Sequence, residues 1–270
     1  MLVRSLLIAV FLISSSLAQS ALAELPQFIP VDVPNHVYDG GWEHFVGGGV
    51  AVFDCNGDSK PDLVAAGGTN LPILLRNTSR VAGEVSFVAA TPKNLDLKGT
   101  TGVYPIDANN DGLLDLMVLR VGSDILLHGA GDCTFSPAPL EIGDHWSTAF
   151  SATWEANQIK PTFAFGHYVD QANAEGPFEA CDTNIIMRPT ASGYSLIKLN
   201  PGYCALSMLF TDWARKGSAD LRISNDRHYY VHKGEEQLWK MANPPKLYSE
   251  TEGWKRHMLW GMGIATRDLD

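Results

Sequence analysis

The sequence predicts an all-β fold, a β-propeller of four-stranded antiparallel blades. Three observations carry this. Long helical periodicity is scarce. The recurring unit is a short β-like run, a tight polar loop, a second β-like run ending in glycine, and one or two further strands. The polar loop itself repeats: "FDCNGDSKPDLVAAGG" (53–68) aligns with "IDANNDGLLDLMVLRVG" (106–122), and again with "FTDWARKGSADLRISND" (210–226). A weaker copy is "TWEANQIKPTFAFG" (153–166), and "GIATRDLD" at 263–270 opens a fifth. The loops start at 54, 107, 154, 212 and 268. A strand-only period of about 50 residues is that of a propeller blade. Such a unit cannot bury both faces alone and needs neighbours.

The elements follow in order. Residues 1–23 carry one basic residue (Arg4), an apolar run from Leu6 to Ile13 and Ala21-Leu22-Ala23, which reads as a signal peptide removed before Glu24. That run is too short to span a bilayer, and no later segment is apolar enough to cross one. Three glycines in "HFVGGGVAVFD" (44–54) predict close backbone packing near a propeller axis. The first blade is completed by "LPILLRN" (71–77) and "VSFVAA" (85–90), and the second by "DILLHG" (124–129) and "CTFSPAP" (133–139). The third takes "NIIMRPT" (184–190) and "YSLIKL" (194–199) after a long polar insertion, "HYVDQANAEGPFEACD" (167–182), a plausible functional loop. The fourth takes "EQLWKM" (236–241). The seven tryptophans, at 42, 146, 154, 213, 239, 254 and 260, are expected to pack between blades.

The polar loop points to a metal ion. In the second copy Asp107, Asn109, Asp111, Gly112 and Asp115 occupy positions 1, 3, 5, 6 and 9. Side chains at 1, 3 and 5 converge if the chain turns around a point, and Gly112 permits the turn. The Leu113 carbonyl at position 7 adds an oxygen. The first copy repeats the set with Asp54, Asn56, Asp58, the Lys60 carbonyl and Asp62, Ser59 replacing the glycine. All are hard oxygens, the donors Ca²⁺ prefers. Without a cation each close carboxylate pair costs roughly 1 kcal/mol in water-like surroundings and up to ~4 at intermediate dielectric. An EF-hand is excluded, because its position-12 Glu is here Ala65 or Val118. The other reading is an acidic turn with no ion. The third copy has Trp154, Ala156, Gln158 and Thr162 at the ligand positions. The fourth keeps Asp212 and Asp220 but has Ala214 and Lys216, so the Lys216 ammonium is expected to stand in for the ion. Two calcium sites are expected.

These residues resemble the FG-GAP or VCBS repeats of integrin α-chain-like propellers. "DCNGDSKPDL", "DANNDGLLDL", "AFGHYVD", "CALSMLFTDWARKGSADLRISNDRHYY" and "GEEQLWKM" together resemble the bacterial cartilage-acidic-protein-like group associated with ASPIC/UnbV modules. The resemblance covers about 45–270. It implies a seven-bladed extracytoplasmic propeller with calcium-binding loops, of which four to five blades are expected here. The terminal Asp268-Leu269-Asp270, half a ligand loop, makes truncation the expectation.

The formal net charge of −10 argues against nucleic acid and anionic lipid as partners and is compatible with divalent cations. Four cysteines in an oxidising compartment suggest two disulfides, Cys181 with Cys204 and Cys55 with Cys133, free buried thiols being the alternative. No nucleophile elbow and no His-Glu-x-x-His occurs. His44, His228 and His232 draw attention, and "NDRHYYVHKGEEQLW" (225–239) reads as a charged, aromatic connection. The leading expectation is a secreted or periplasmic, non-catalytic calcium-binding propeller with a protein or glycan ligand. The rivals are a hydrolase or lyase on the same scaffold, and a purely structural repeat of a larger protein.

Overall fold

A computed structural model of the chain describes residues 27–226, 232 and 234–266. The signal segment, Arg227 to Tyr230 of the aromatic connection, and Asp268 and Asp270 lie outside the described residues. Two units are distinguished, 1–31 and 32–270. The described part of the first, 27–31, has no regular secondary structure. No helix among the described residues is long and apolar enough to cross a membrane.

The second unit is four antiparallel blades. Blade one is β1 (Val50–Phe53), β2 (Asp62–Ala65), β3 (Ile73–Asn77) and β4 (Phe87–Ala89). Blade two is β5 (Thr100–Ile106), β6 (Asp115–Ser123), β7 (Ile125–Gly129) and β8 (Phe135–Ala138). Blade three is β9 (Asp144–Thr153), β10 (Thr162–His167), β11 (Asn184–Thr190) and β12 (Gly193–Leu199). Blade four is β13 (Ala205–Thr211), β14 (Asp220–Asn225), β15 (Gln237–Lys240) and β16 (Lys246–Leu247). This is the β-propeller architecture.

The two-residue period of a strand explains the stacking. On β6, Leu116 and Val118 point into the core shared with blade one, beside Val64 and Leu74. Their neighbours Met117 and Leu119 point the other way, into the core shared with Phe163, Phe165, Ile185 and Met187 of blade three. On β10, Ala164 faces blade four with Met208, Leu221, Ile223 and Trp239. Central strands therefore read as continuous apolar runs, because each face meets another blade. Gly166 marks the tightest approach: a Cβ there would lie 2.8 Å from the Ala149 Cβ and 3.0 Å from the Ala205 Cβ.

Strand β6 runs past its own blade, and Val121, Gly122 and Ser123 pair with Trp146, His145 and Asp144 of β9. Blades two and three therefore share one sheet. The glycine run packs on β5: the N–H groups of Gly48 and Gly49 donate to the Thr101 carbonyl at 3.1 and 3.4 Å.

Antiparallel alternation sorts the loops into two faces. The β1–β2, β5–β6, β9–β10 and β13–β14 connections, the repeated polar loops, share one face. The β2–β3, β6–β7 and β10–β11 connections share the other with the blade-to-blade crossings.

Candidate metal centres

The loop 54–62 folds around the Asp54 carboxylate. Its Oδ1 accepts the Gly57 N–H at 2.8 Å and its Oδ2 the Ser59 N–H at 2.7 Å. Asn56 Oδ1 accepts the Asp58 N–H at 3.2 Å, and Asp58 Oδ1 accepts the Lys60 N–H at 3.0 Å. These are successive Asx turns, in which a short side chain replaces a backbone acceptor. The loop 107–115 repeats the pattern in register. Asp107 Oδ2 accepts the Gly112 N–H at 3.0 Å, Asn109 Oδ1 the Asp111 N–H at 3.0 Å, and Asp111 Oδ1 the Leu113 N–H at 2.8 Å. Both loops turn through left-handed backbone at position 6, Gly112 at φ 85° and Ser59 at φ 63°. A side chain there costs roughly 1–2 kcal/mol. The position-5 acids sit at the exposed tip. The Leu113 N–H and the Asn109 amide hold Asp111 below the usual carboxylate range. At Asp58 desolvation opposes the charge, but the Lys60 N–H, the Asn56 amide and the Lys60 ammonium together outweigh it and hold the pKa low.

Position 9 is different. Asp62 and Asp115 are fully buried at the first residue of β2 and β6. Asp62 Oδ2 accepts the Cys55 N–H at 3.0 Å, and Oδ1 the Asn77 N–H at 2.8 Å. Asp115 repeats this with Ala108 at 2.9 Å and Gly129 at 2.8 Å. Each carboxylate thus clasps its loop to the far end of the third strand of its blade. A carboxylate oxygen has a second lone pair, so the clasp leaves acceptor capacity.

The other two loops close without this ligand set. In the third, Glu155 Oε1 accepts from the Thr162 hydroxyl at 2.6 Å and from buried Arg188 at 2.8 Å. In the fourth, Asp212 accepts the Lys216 and Gly217 N–H groups at 2.8 and 2.7 Å. The expected stand-in ammonium is corrected: Lys216 meets Asp212 through its backbone, and no ion pair joins its side chain to Asp212 or Asp220. Asp220 is instead served by the Tyr248 hydroxyl at 2.7 Å, the Trp213 indole N–H at 3.0 Å and the Met241 N–H at 3.0 Å. The reason is geometric: an aromatic hydroxyl and an indole already fill the place a lysine would take.

Both cysteine pairs are bonded. Cys55–Cys133 joins the first acidic loop to the β7–β8 turn of the next blade, and Cys181–Cys204 joins the long insertion to the start of blade four. Near the second lies a cluster that no sequence motif flags. His145 and His167 stack with centroids 3.9 Å apart. His145 Nδ1 lies 2.7 Å from Asp182 Oδ2, and its Nε2 lies 3.0 Å from the Ile142 carbonyl. Two acceptors require two N–H groups, so His145 is an imidazolium in this arrangement. Burial opposes that charge, but Asp182 outweighs it and raises the His145 pKa. His167 is pushed down to about 4 by burial and then by the charge on His145. Asp124, fully buried in the same region, is pushed up to about 7 by burial. The ring nitrogens other than His167 Nε2 are taken by protein acceptors, so this is an ion pair with a stacked neutral ring rather than a metal site.

Of the expected tryptophan packing only part holds. Trp146 and Trp239 are core, whereas Trp42, Trp154, Trp213 and Trp260 are about half exposed. In the aromatic connection, Asp226 accepts the Tyr168 hydroxyl at 2.6 Å, and the His232 N–H donates to Glu179 at 2.9 Å. No curated protein matches the chain. The stretch holding both acidic loops, residues 54–118, matches the family model of the FG-GAP-like repeat, and to that repeat this part of the propeller is similar.

Proposed function

We propose that the chain is a calcium-stabilised propeller module acting outside the cytoplasm, non-catalytic, that presents a rigid loop face to a protein or glycan. The observation that carries the calcium reading is the matched pair of loops. Corresponding hydrogen bonds recur at positions 1, 3, 5 and 9 in both, on loops whose sequences otherwise differ. The residues fit the ion. Donors at 1, 3 and 5 are carboxylate and amide oxygens, preorganised by backbone N–H groups, and positions 7 and 9 add a carbonyl and a buried carboxylate. Asp54, Asn56, Asp58, the Lys60 carbonyl and Asp62 would hold one Ca²⁺. Asp107, Asn109, Asp111, the Leu113 carbonyl and Asp115 would hold the other. The ion would supply the positive charge that lets these acids sit together. Two disulfides support an oxidising compartment. Loops carried on rigid sheets suit recognition.

The test is thermal unfolding of the purified protein in calcium and in chelator. Calcium is expected to raise Tm, and Asp111→Ala to abolish much of the gain. Equal melting in the two buffers would overturn the metal reading.

A further inference from the structure

The face opposite the acidic loops carries a cavity of about 940 Å³. That lies within the roughly 300–1,000 Å³ of small-molecule sites. Its walls come from the Trp42–His44 turn, the blade crossing at Lys98, the end of β6 at Arg120, and the β10–β11 insertion, including Asp170 and Asn173. The insertion singled out in the sequence is therefore a cavity wall.

Two features of this wall call for a ligand. Arg120 is held in place by carbonyls, Nε donating to Lys98 at 2.9 Å and Nη1 to Ser123 at 3.0 Å. No carboxylate among the described residues forms an ion pair with Arg120 or with exposed Lys98. Trp42 rests edge-on against Trp146, centroids 5.0 Å apart, and remains 45 % exposed. Two cations without a salt-bridge partner, an open indole, and Asp170 and Asn173, whose Oδ1 atoms accept the Ala172 and Glu175 N–H groups and leave Asp170 Oδ2 and Asn173 Nδ2, make one coherent set, with Glu43 a further acid in the wall. The cations suit a carboxylate. The indole suits the apolar face of a sugar ring, and the carboxylate and amides suit its hydroxyls.

We propose that this cavity binds an oligosaccharide bearing uronic acid, its carboxylate on Arg120 and Lys98, one ring against Trp42, and its hydroxyls on Asp170 Oδ2 and Asn173 Nδ2. The assignment rests on the reading of the chain as a binding module and names the ligand class of one site.

The experiment is titration calorimetry of the purified chain in calcium buffer with trigalacturonate and with the same trimer after reduction of its carboxyl groups to alcohols. The acidic trimer is expected to bind about tenfold or more tightly than the neutral one, since a charge-assisted contact is worth at least ~1.4 kcal/mol. Lys98→Gln, at an exposed position, should remove about that factor for the acidic trimer and leave the neutral one unchanged. Lys160→Gln, on the opposite face, should change neither. Equal affinity for the two trimers, binding of neither, or indifference to Lys98→Gln would each overturn the assignment. Calcium stabilisation without uronate binding would fell this inference alone; uronate binding with calcium-independent melting would fell the metal reading alone.

Discussion

A single aspartate can bridge backbone segments and still keep a lone pair for an ion, and the acids of the repeated loops differ in how much of the first duty they carry. Asp58 and Asp111 are exposed at the loop tip, whereas Asp62 and Asp115 are buried with each oxygen on a different N–H. The spacing Asp-x-Asn-x-Asp-x-x-x-Asp does not separate these roles, because either requires a short carboxylate at that point. What separates them is the position after the loop, where an apolar strand begins and solvent is gone. Substitution should distinguish them. Asp115→Ala would leave the buried Ala108 N–H and the part-buried Gly129 N–H without their acceptor, at a cost of about 2–5 kcal/mol. Asp111→Ala in chelator removes only exposed contacts and should change stability by less than about 1 kcal/mol. Chemical denaturation of both variants in chelator checks this. Comparable losses would mean that position 9 is no more structural than position 5.

At the scale of elements, the strand pattern was legible and the stitching between strands was not. Period-two alternation and the polar loops predicted fifteen of the sixteen described strands in the right order, all but the two-residue β16, because each face of each blade has a different neighbour. Nothing in "VLRVGSD" announces that β6 would outrun its blade and pair with β9. Nor does the chain announce that His145, His167 and Asp182 meet beside that seam, since they come from two strands and an insertion. The seam has a pH signature. His167, depressed to about 4, favours folding as pH rises from about 4 towards its unfolded value near 6.5, because the unfolded chain binds the extra proton. Asp124, raised to about 7, acts with the opposite sign over nearly the same window, because there the folded chain holds the extra proton. The two slopes largely offset. Asp124→Asn removes one of them, so the variant should gain stability on going from pH 4.5 to pH 7, relative to wild type, by on the order of 2–3 kcal/mol. Denaturant midpoints at the two pH values measure it; parallel profiles for variant and wild type would refute it.

Across the whole molecule, stability is built from neighbour to neighbour, each blade interface having its own core. The interfaces differ in how they are fastened. Blades two and three share a sheet. Blades three and four are joined by Thr148 to the Ala205 carbonyl at 2.5 Å, and by Arg188 to the Ala242 carbonyl at 2.9 Å. Blades one and two are joined by the Gly68–Thr100 bridge, the Gly68 N–H donating to the Thr100 carbonyl at 2.9 Å and the Gly99 N–H to the Gly68 carbonyl at 2.7 Å, and by the Cys133 N–H donating to the Cys55 carbonyl at 2.9 Å. The shared core, the Arg76–Asp132 ion pair and Cys55–Cys133, whose partners are 78 residues apart, add to these. That disulfide is the covalent fastener of this interface, and one of its sulfurs sits inside an acidic loop, at position 2 beside Asp54. A loop of that length contributes about 4 kcal/mol through the unfolded state. Removing it by Cys55→Ser with Cys133→Ser should lower the stability of blade one selectively and weaken calcium at the first loop more than at the second. Hydrogen exchange should show the change: amides of β1 to β4 should lose protection while those of β9 to β12 keep theirs. Uniform loss across all four blades would mean that the molecule unfolds as one cooperative unit, and that the disulfide acts on the whole chain rather than on a single interface.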